Sequence, residues 1–139
     1  MARLLDSNIL IYAGQPGNEF LDDWLDAPGT MYSAVSITEV LGYEGITAED
    51  QKLFEAMFAQ LVMQPVSESV LRKAAGLRRF RRLKLGDAII AATALETGSE
   101  LVTRNEQDFR GIDGLQLVNP FAAKWAGIEQ KSRGGPGER

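Results

Sequence analysis

The chain has 139 residues with no cysteine and no histidine, and its 15 basic and 19 acidic side chains give a formal net charge of −4. This length suits one domain, and the 45% hydrophobic content is too high for a disordered chain. The missing residue types exclude a Ser-His-Asp triad, a cysteine nucleophile and a zinc site of the usual nitrogen and sulfur type. An enzyme of this composition has to use carboxylates, hydroxyls, Lys or Arg, or a hard metal ion that binds oxygen.

Short apolar strands alternate with helical patterns along the chain. In chain order the patterns predict strand 2–5, a helix from Ser7, helix 18–27, strand 31–35, a helix from Ser36, helix 47–61, edge strand 62–66, a helix from Ser67 to about Arg82, helix 86–98, strand 100–103, a helical turn over 104–109, strand 115–120 and a short helix over 121–127. This alternation is typical of an α/β domain in which helices flank a mostly parallel central sheet.

The two ends of the chain carry little signal for targeting. The apolar stretch at the N-terminus is interrupted by Asp6 and Asn8 and lacks a cleavage site, so it is a poor signal peptide. No window approaches the roughly 20 apolar residues of a membrane span. Residues 127–139 are polar and rich in Gly and Pro, and we expect them to be a disordered tail. These features predict a soluble, cytoplasmic protein without a membrane partner.

Four carboxylates follow predicted strands or begin a helix. Asp6 directly follows strand 2–5, Glu39 lies one helical turn after the second strand, and Asp108 lies one turn after strand 100–103. Asp87 stands at the head of helix 86–98. Because the carboxyl ends of parallel strands meet at one edge of a sheet, we expect these acids to converge. Carboxylates brought together repel one another unless a cation neutralises them, which predicts a site for Mg²⁺ or Mn²⁺.

Each acid also has a purely structural interpretation. Ser36-x-x-Glu39 has the spacing of a capping box, and Asn105-x-x-Asp108 has that of a looser cap. Asp87 suits the first turn of a helix, and Asp6 suits the N-cap of the next helix. For any single acid the structural interpretation is favoured. The joint placement of all four favours a functional site.

Basic residues are concentrated in the second half of the chain. Residues 1–70 contain two basic and eleven acidic side chains, whereas residues 71–139 contain thirteen and eight. Seven of the thirteen basic residues lie within residues 71–84, directly before Asp87. Such a cluster fits a nucleic-acid contact, although a basic helix alone is more often a solvated face.

Four segments resemble the signature blocks of the PIN-domain family, and more narrowly of VapC toxin ribonucleases. They are LLDSNILIYA, SITEVLGYE, KLGDAIIAATAL and ELVTRNEQDF, which occur in this order. The resemblance covers about residues 2–120 and implies a single PIN-like nuclease domain over residues 1–126.

The resemblance implies a metal-dependent endoribonuclease that acts as the toxin of a toxin–antitoxin pair. Its acidic site, catalytic and metal-binding, falls on Asp6, Glu39, Asp87 and Asp108, with Ser7, Asn8, Thr103 and Asn105 as supporting polar residues. Whether Asn105 or Asp108 lies nearer the metal stays open. Arg79 and Arg82 are the predicted RNA-binding residues, because acids at a metal site otherwise repel phosphate. Cleavage is expected to leave a 5′-phosphate and a 3′-hydroxyl.

The resemblance also implies binding partners, and two alternative functions are open. The resemblance implies a homodimer and a cognate antitoxin protein, with Tyr12, Trp24 and Tyr43 as candidate groove residues for the antitoxin. One alternative is a catalytically silent PIN-like module that only binds RNA or protein, but all four acids are present. A second is a phosphatase with an aspartate nucleophile at Asp6. That class needs another Asp two residues later, where this chain has Asn8.

Overall fold

The computed structural model describes residues 2–122. Its elements are β1 (Arg3–Leu5), α1 (Ser7–Ala13), a 3-10 helix (Glu19–Leu21), α2 (Asp22–Asp26), β2 (Met31–Ser33), α3 (Val35–Leu41), α4 (Ala48–Gln60), β3 (Val62–Gln64), α5 (Glu68–Phe80), α6 (Leu85–Thr97), β4 (Glu100–Val102), α7 (Glu106–Phe109) and β5 (Gln116–Val118). Residues 120–122 begin a further helical turn. The remainder of the helix predicted over 121–127 and the tail predicted over 127–139 lie outside the described residues.

The five strands form one sheet in the order β3-β2-β1-β4-β5, and all four neighbouring pairs are parallel. The predicted α/β class with a parallel central sheet is therefore confirmed. β3 lies at an edge, as its proline-containing segment predicted. None of the helices within residues 2–122 is long and apolar enough to cross a bilayer.

Successive residues of the inner strands enter two separate hydrophobic cores. In β1, Leu4 joins the core that α5 and α6 cover, whereas Leu5 joins the core beneath α1 and α4. Leu101 and Val102 of β4 divide in the same way. This alternation follows from the two-residue period of a strand. Because both faces are covered, the buried positions of β1 and β4 are all occupied by apolar residues.

Local capping residues set several helix boundaries. The side chain of Thr47 accepts a hydrogen bond from Asp50 N at the start of α4, and Ser67 accepts one from Val70 N at the start of α5. Gly98 ends α6 with φ +64°, a conformation that glycine adopts without strain. The predicted bounds of these helices are confirmed to within a few residues.

Two predicted elements differ in their bounds. The second strand was predicted over 31–35, but β2 ends at Ser33 and α3 begins at Val35. The Ser33 hydroxyl accepts a hydrogen bond from Val35 N, which turns the chain into the helix early. The helix predicted over 18–27 is divided into the 3-10 helix and α2. Leu21 N donates to Asn18 O, so the turn before Asp22 has the three-residue hydrogen bond of a 3-10 helix.

The chain topology changes direction between β1 and β4. The order runs from β1 outward to β2 and β3 on one side, and from β4 outward to β5 on the other. At the carboxyl ends of the central pair, Asp6 N donates a hydrogen bond to Val102 O at 2.9 Å. Ligands bind at such a topological switch point in parallel sheets, so this rim is the place to search for a site.

Candidate active site

Asp6 lies at the junction between β1 and α1 with its side chain only 3% exposed. It occupies the N-cap position of α1, yet its side chain forms no capping hydrogen bond. Its Oδ2 instead accepts a 2.8 Å hydrogen bond from Thr103 Oγ1 at the end of β4. The predicted N-cap position of Asp6 is confirmed, but its side chain does not form the capping hydrogen bond. The carboxylate is held across the switch point.

Burial is the main cause that raises the pKa of Asp6, to about 7. The hydrogen bond from Thr103 opposes this effect, and the nearby carboxylates of Asp87 and Glu39 add to it. The Asp6 carboxyl thus occupies an environment that disfavours its own charge. Such a position is common for residues that bind a cation or take part in catalysis.

Asp87 lies in the first turn of α6, as predicted, and is half-buried. Burial raises its pKa, the acidic neighbours Asp108 and Glu39 add to the rise, and Lys84 opposes it. The helix dipole favours an acid at this place. Asp87 therefore stabilises the start of α6 and also belongs to the acidic cluster.

Glu39 is joined to α1 through a chain of serine hydroxyls. Ser7 Oγ donates to Glu39 Oε1 at 2.7 Å and lies 2.7 Å from Ser36 Oγ. Because the single proton of Ser7 goes to the carboxylate, Ser36 is the donor in the second bond. The predicted capping box of Ser36 and Glu39 is wrong, since Ala34 is the N-cap of α3 and no side chain caps it.

Gly86 provides the space that Glu39 occupies. A Cβ atom built on Gly86 would overlap Glu39 Oε2. Any side chain at Gly86 would therefore displace the carboxylate. Neither Ser36 nor Gly86 was predicted as a site residue. Ser36 could have been found, because three-residue spacing places it on the same face of a helix as Glu39.

Asp108 and Asn105 belong to the turn of α7 that follows β4. Asn105 N donates to Thr103 Oγ1, so one buried hydroxyl binds both this turn and Asp6. The Asn105 side chain forms no capping bond, which makes the predicted looser cap wrong. Arg81 clamps the end of the turn, donating to Asp108 O at 3.0 Å and to Arg110 O at 2.7 Å.

The predicted acids converge on one cavity at the carboxyl ends of the strands. It has a volume of about 270 Å³ and is lined by Asp6, Ser7, Asn8, Ile11, Glu39, Lys84, Asp87, Asn105 and Asp108. We call this cavity the acidic centre. Of the predicted acidic and supporting residues, Thr103 alone is absent from its lining, since it acts from behind Asp6.

The donors of the acidic centre suit a hard divalent cation. Carboxylate, amide and hydroxyl oxygens are what Mg²⁺ and Mn²⁺ prefer. Asn8 Oδ1 is buried and has no hydrogen-bond partner, so it offers a further oxygen. Within residues 2–122, however, no group of three or more acidic side chains already has the spacing of a metal site. The residues therefore fit such an ion in chemistry, although the carboxylates are not drawn together around one.

Of the two predicted RNA-binding residues, Arg82 lines a cavity next to the acidic centre and Arg79 does not. Arg82 and Lys84 line a second cavity of about 220 Å³, together with Asp87 and Asp108 of the acidic centre. Arg79 is exposed in the last turn of α5, and it lines neither cavity. Arg82 is thus placed to meet a bound polyanion, and Lys84 joins it.

The three predicted groove residues are partly exposed and contact different neighbours. Tyr12 packs edge-on against Phe121, with ring centroids 5.2 Å apart. Arg3 lies 4.4 Å from the ring centroid of Trp24, and the Tyr43 hydroxyl donates to Asp50. Their role in binding an antitoxin stays a prediction.

The chain is similar to known PIN-domain proteins over most of its length. The PIN domain family profile matches residues 3–115. Ribonuclease VapC10 of Mycobacterium tuberculosis is 35% identical over 129 residues, which cover 86% of this chain and 92% of that protein. A toxin–antitoxin complex from Klebsiella pneumoniae contains a chain with 31% identity and a TM-score of 0.68, covering 85% of this chain and 97% of that one.

A further solved structure matches at lower identity. VapBC2 from Rickettsia felis, bound to a DNA fragment from their promoter, has a TM-score of 0.72 at 22% identity and covers 86% of this chain and 98% of its own. This likeness supports the fold alone. The family match, which spans β1 to the start of β5, and the identity to VapC10 are independent of it. The chain belongs to the PIN-domain family, and VapC ribonucleases are among its relatives.

Proposed function

We propose that this protein is a metal-dependent endoribonuclease that acts as the toxin of a toxin–antitoxin pair. The observation that carries the proposal is the acidic centre, where Asp6, Glu39, Asp87 and Asp108 meet at the topological switch point. The identity to Ribonuclease VapC10 supports RNA as the substrate, and the likeness to a toxin–antitoxin complex supports an antitoxin partner. A homodimer and a cytoplasmic location complete the proposal.

The acids provide the charge that a divalent cation needs. Asp6, Asp87 and Asp108 are the proposed ligands for Mg²⁺ or Mn²⁺, directly or through water. When bound, such an ion lowers the pKa of a coordinated water and neutralises charge on a transferring phosphoryl group. Glu39 is a ligand or the base that orients the attacking water, and the hydrogen bond from Ser7 fixes its direction.

Neighbouring residues hold the carboxylates in position and place cations beside them. The Thr103 hydroxyl holds one oxygen of Asp6, which leaves the other oxygen available to a cation. Arg81 fixes the backbone of Asp108 by a guanidinium fork. Arg82 and Lys84 lie beside Asp87 and Asp108, where they can attract the phosphates of a substrate.

Cleavage of a panel of structured and single-stranded RNAs, with and without Mg²⁺, tests the proposal. We expect cutting that EDTA abolishes, with 5′-phosphate and 3′-hydroxyl ends. Asp6→Asn removes the activity and keeps the fold, whereas Asp26→Asn, a control in exposed sequence on α2, keeps both. Full activity in excess EDTA or a 2′,3′-cyclic phosphate product would contradict metal-assisted hydrolysis.

The toxin role needs a separate experiment in cells. Expression of the wild-type chain is expected to stop growth, and expression of Asp6→Asn is not. Co-expression of the small protein encoded by the adjacent gene should restore growth and co-purify with the chain. Growth arrest that persists in the Asp6→Asn strain would contradict a toxin that acts by cutting RNA.

A further inference from the structure

We propose that single-stranded RNA crosses the acidic centre between two cationic arms, and that Arg104 and Arg110 form the second arm, which binds backbone phosphates. The first arm is Arg82 with Lys84. This inference rests on the proposed ribonuclease function and adds the path of the substrate. An endonuclease cuts an internal bond, so its substrate has to extend from the reacting phosphate in both directions.

Three cavities neighbour one another through shared lining residues, and we call them together the groove. The first arm's cavity shares Lys84, Asp87 and Asp108 with the acidic centre. A third cavity, of about 420 Å³, is lined by Arg104, Asn105, Glu106, Gln107, Asp108 and Arg110. It shares Asn105 and Asp108 with the acidic centre. Arg82 thus lines one cavity of the groove and Arg104 and Arg110 line another, and Asp108 lines both of these cavities and the acidic centre.

Arg104 is held in place before any ligand binds. Its guanidinium lies 4.2 Å from the ring centroid of Phe121 and 4.8 Å from that of Tyr12. The two rings contact the guanidinium without taking its hydrogen-bond donors. Arg104 also directly follows Thr103, whose hydroxyl binds both Asp6 and the next turn. Its backbone is therefore fixed relative to the acidic centre.

The backbone of Arg110 is held in place, while the residue itself is exposed to solvent. Arg81 donates a hydrogen bond to the carbonyl oxygen of Arg110. Within residues 2–122, neither Arg104 nor Arg110 forms an ion pair, whereas Arg3 and Arg72 do. Two arginines without an acidic partner, next to a cluster of acids, provide phosphate sites that the protein itself does not neutralise.

The lining of the second arm favours RNA over an acidic protein segment. All six side chains of this cavity are polar or charged, so it offers little of the apolar surface that the core of a protein interface buries. The acid Glu106 is occupied by a hydrogen bond from Asn119. A phosphate chain needs only cations and hydrogen-bond donors at intervals, which this cavity supplies.

Salt-dependent binding of RNA tests the second arm. A fluorescein-labelled single-stranded RNA of about 16 nucleotides is titrated with protein in EDTA, where it is not cut, at several KCl concentrations. For Arg104→Gln with Arg110→Gln, two lost phosphate contacts make the slope of log K against log salt shallower by about 1.4. At 0.1 M salt this corresponds to about 25-fold weaker binding.

A matched control carries the same change of charge elsewhere. Lys52→Gln alters an exposed residue of α4 that lies outside the groove and outside the basic cluster of residues 71–84; it matches the single variant Arg110→Gln in charge and should leave the slope close to that of the wild type. Because Arg104 contacts two rings, the single variant Arg110→Gln is the safeguard against a folding defect. It should give about half of the slope change.

The outcomes separate the second arm from the proposed function. Equal slopes for the arm variant, the control and the wild type overturn the second arm, while cleavage of RNA by the wild type with Mg²⁺ still supports the ribonuclease. A wild type that cuts no RNA overturns the ribonuclease and, with it, this inference. If the arm variant keeps its RNA affinity but loses affinity for a poly-glutamate peptide, an acidic protein is the ligand and the inference is wrong.

Discussion

The substitution Asp6→Asn should make the metal-free protein more stable above neutral pH. In the folded protein burial raises the pKa of Asp6 from 3.8 to about 7. Below pH 3.8 the carboxyl is protonated in both the folded and the unfolded chain, so its burial carries no charge penalty. Between pH 3.8 and about 7 the folded protein alone keeps the proton, and stability falls as pH rises through this window. The difference between the two pKa values corresponds to about 4 kcal/mol.

Asparagine removes this pH-dependent loss and keeps the local hydrogen bond. Its Oδ1 atom can accept from the Thr103 hydroxyl as the Asp6 carboxylate does. Urea unfolding in EDTA near pH 8 should therefore give a free energy of unfolding that is larger than that of the wild type by up to about 4 kcal/mol. The difference between the two proteins should shrink towards zero near pH 4.

The comparison needs a control for the loss of one negative charge. Asp26→Asn alters an exposed residue of α2 and should change stability by less than about 0.5 kcal/mol at either pH. An equal stability difference at both pH values would refute the reasoning, because it would mean that Asp6 has an ordinary pKa in the folded chain. A destabilised Asp6→Asn protein would refute it as well.

The remaining predictions concern residues that support the acids. Gly86→Ala should displace the Glu39 carboxylate and lower Mg²⁺-dependent cleavage by about 10-fold, with thermal stability unchanged or raised. Arg81→Lys removes the fork that holds the carbonyl of Asp108, so urea unfolding should show a loss of about 1–2 kcal/mol, and Mn²⁺ affinity, measured by calorimetry, should fall. Thr103→Val should cost about 2 kcal/mol near pH 8 and less near pH 4, whereas Thr103→Ser should match the wild type at both. A pH-independent loss in Thr103→Val would contradict a bond to a charged partner.

The sequence predicted the rim of the sheet at which the acids meet, because that prediction needs only the order of strands and the residues that follow them. Asp6 and Asp108 follow β1 and β4, and parallel strands bring their carboxyl ends together. For Asp87 the prediction needed a further condition, because this residue starts a helix that no strand directly precedes. Its place depends on how α6 packs on the sheet, which short-range patterns do not specify.

The predictions from sequence were wrong where a side chain could form a hydrogen bond with either a local or a distant partner. Ser36 and Glu39 have the spacing of a cap, but both turn towards Ser7, which is 29 or 32 residues away in the chain. Arg81 was counted among the basic residues before Asp87, yet it bonds backbone carbonyls of the α7 turn. Tertiary packing decides which partner the side chain binds, since local sequence patterns are compatible with both.

Asp6 gives the fold little that an uncharged residue would not give. Among the buried polar residues of 2–122 it is the sole charged one, and it does not cap α1 through its side chain. Buried hydroxyls such as Thr93 and Thr30 bind nearby carbonyls and carry no charge penalty. Compared with asparagine, the carboxylate brings a negative charge to this position, and burial makes that charge unfavourable by several kcal/mol. The charge becomes favourable when a cation lies beside it, because the cation lowers the pKa of Asp6 and removes the repulsion from Asp87. The cost of Asp6 in the metal-free protein thus supports the proposal that the acidic centre binds a metal ion.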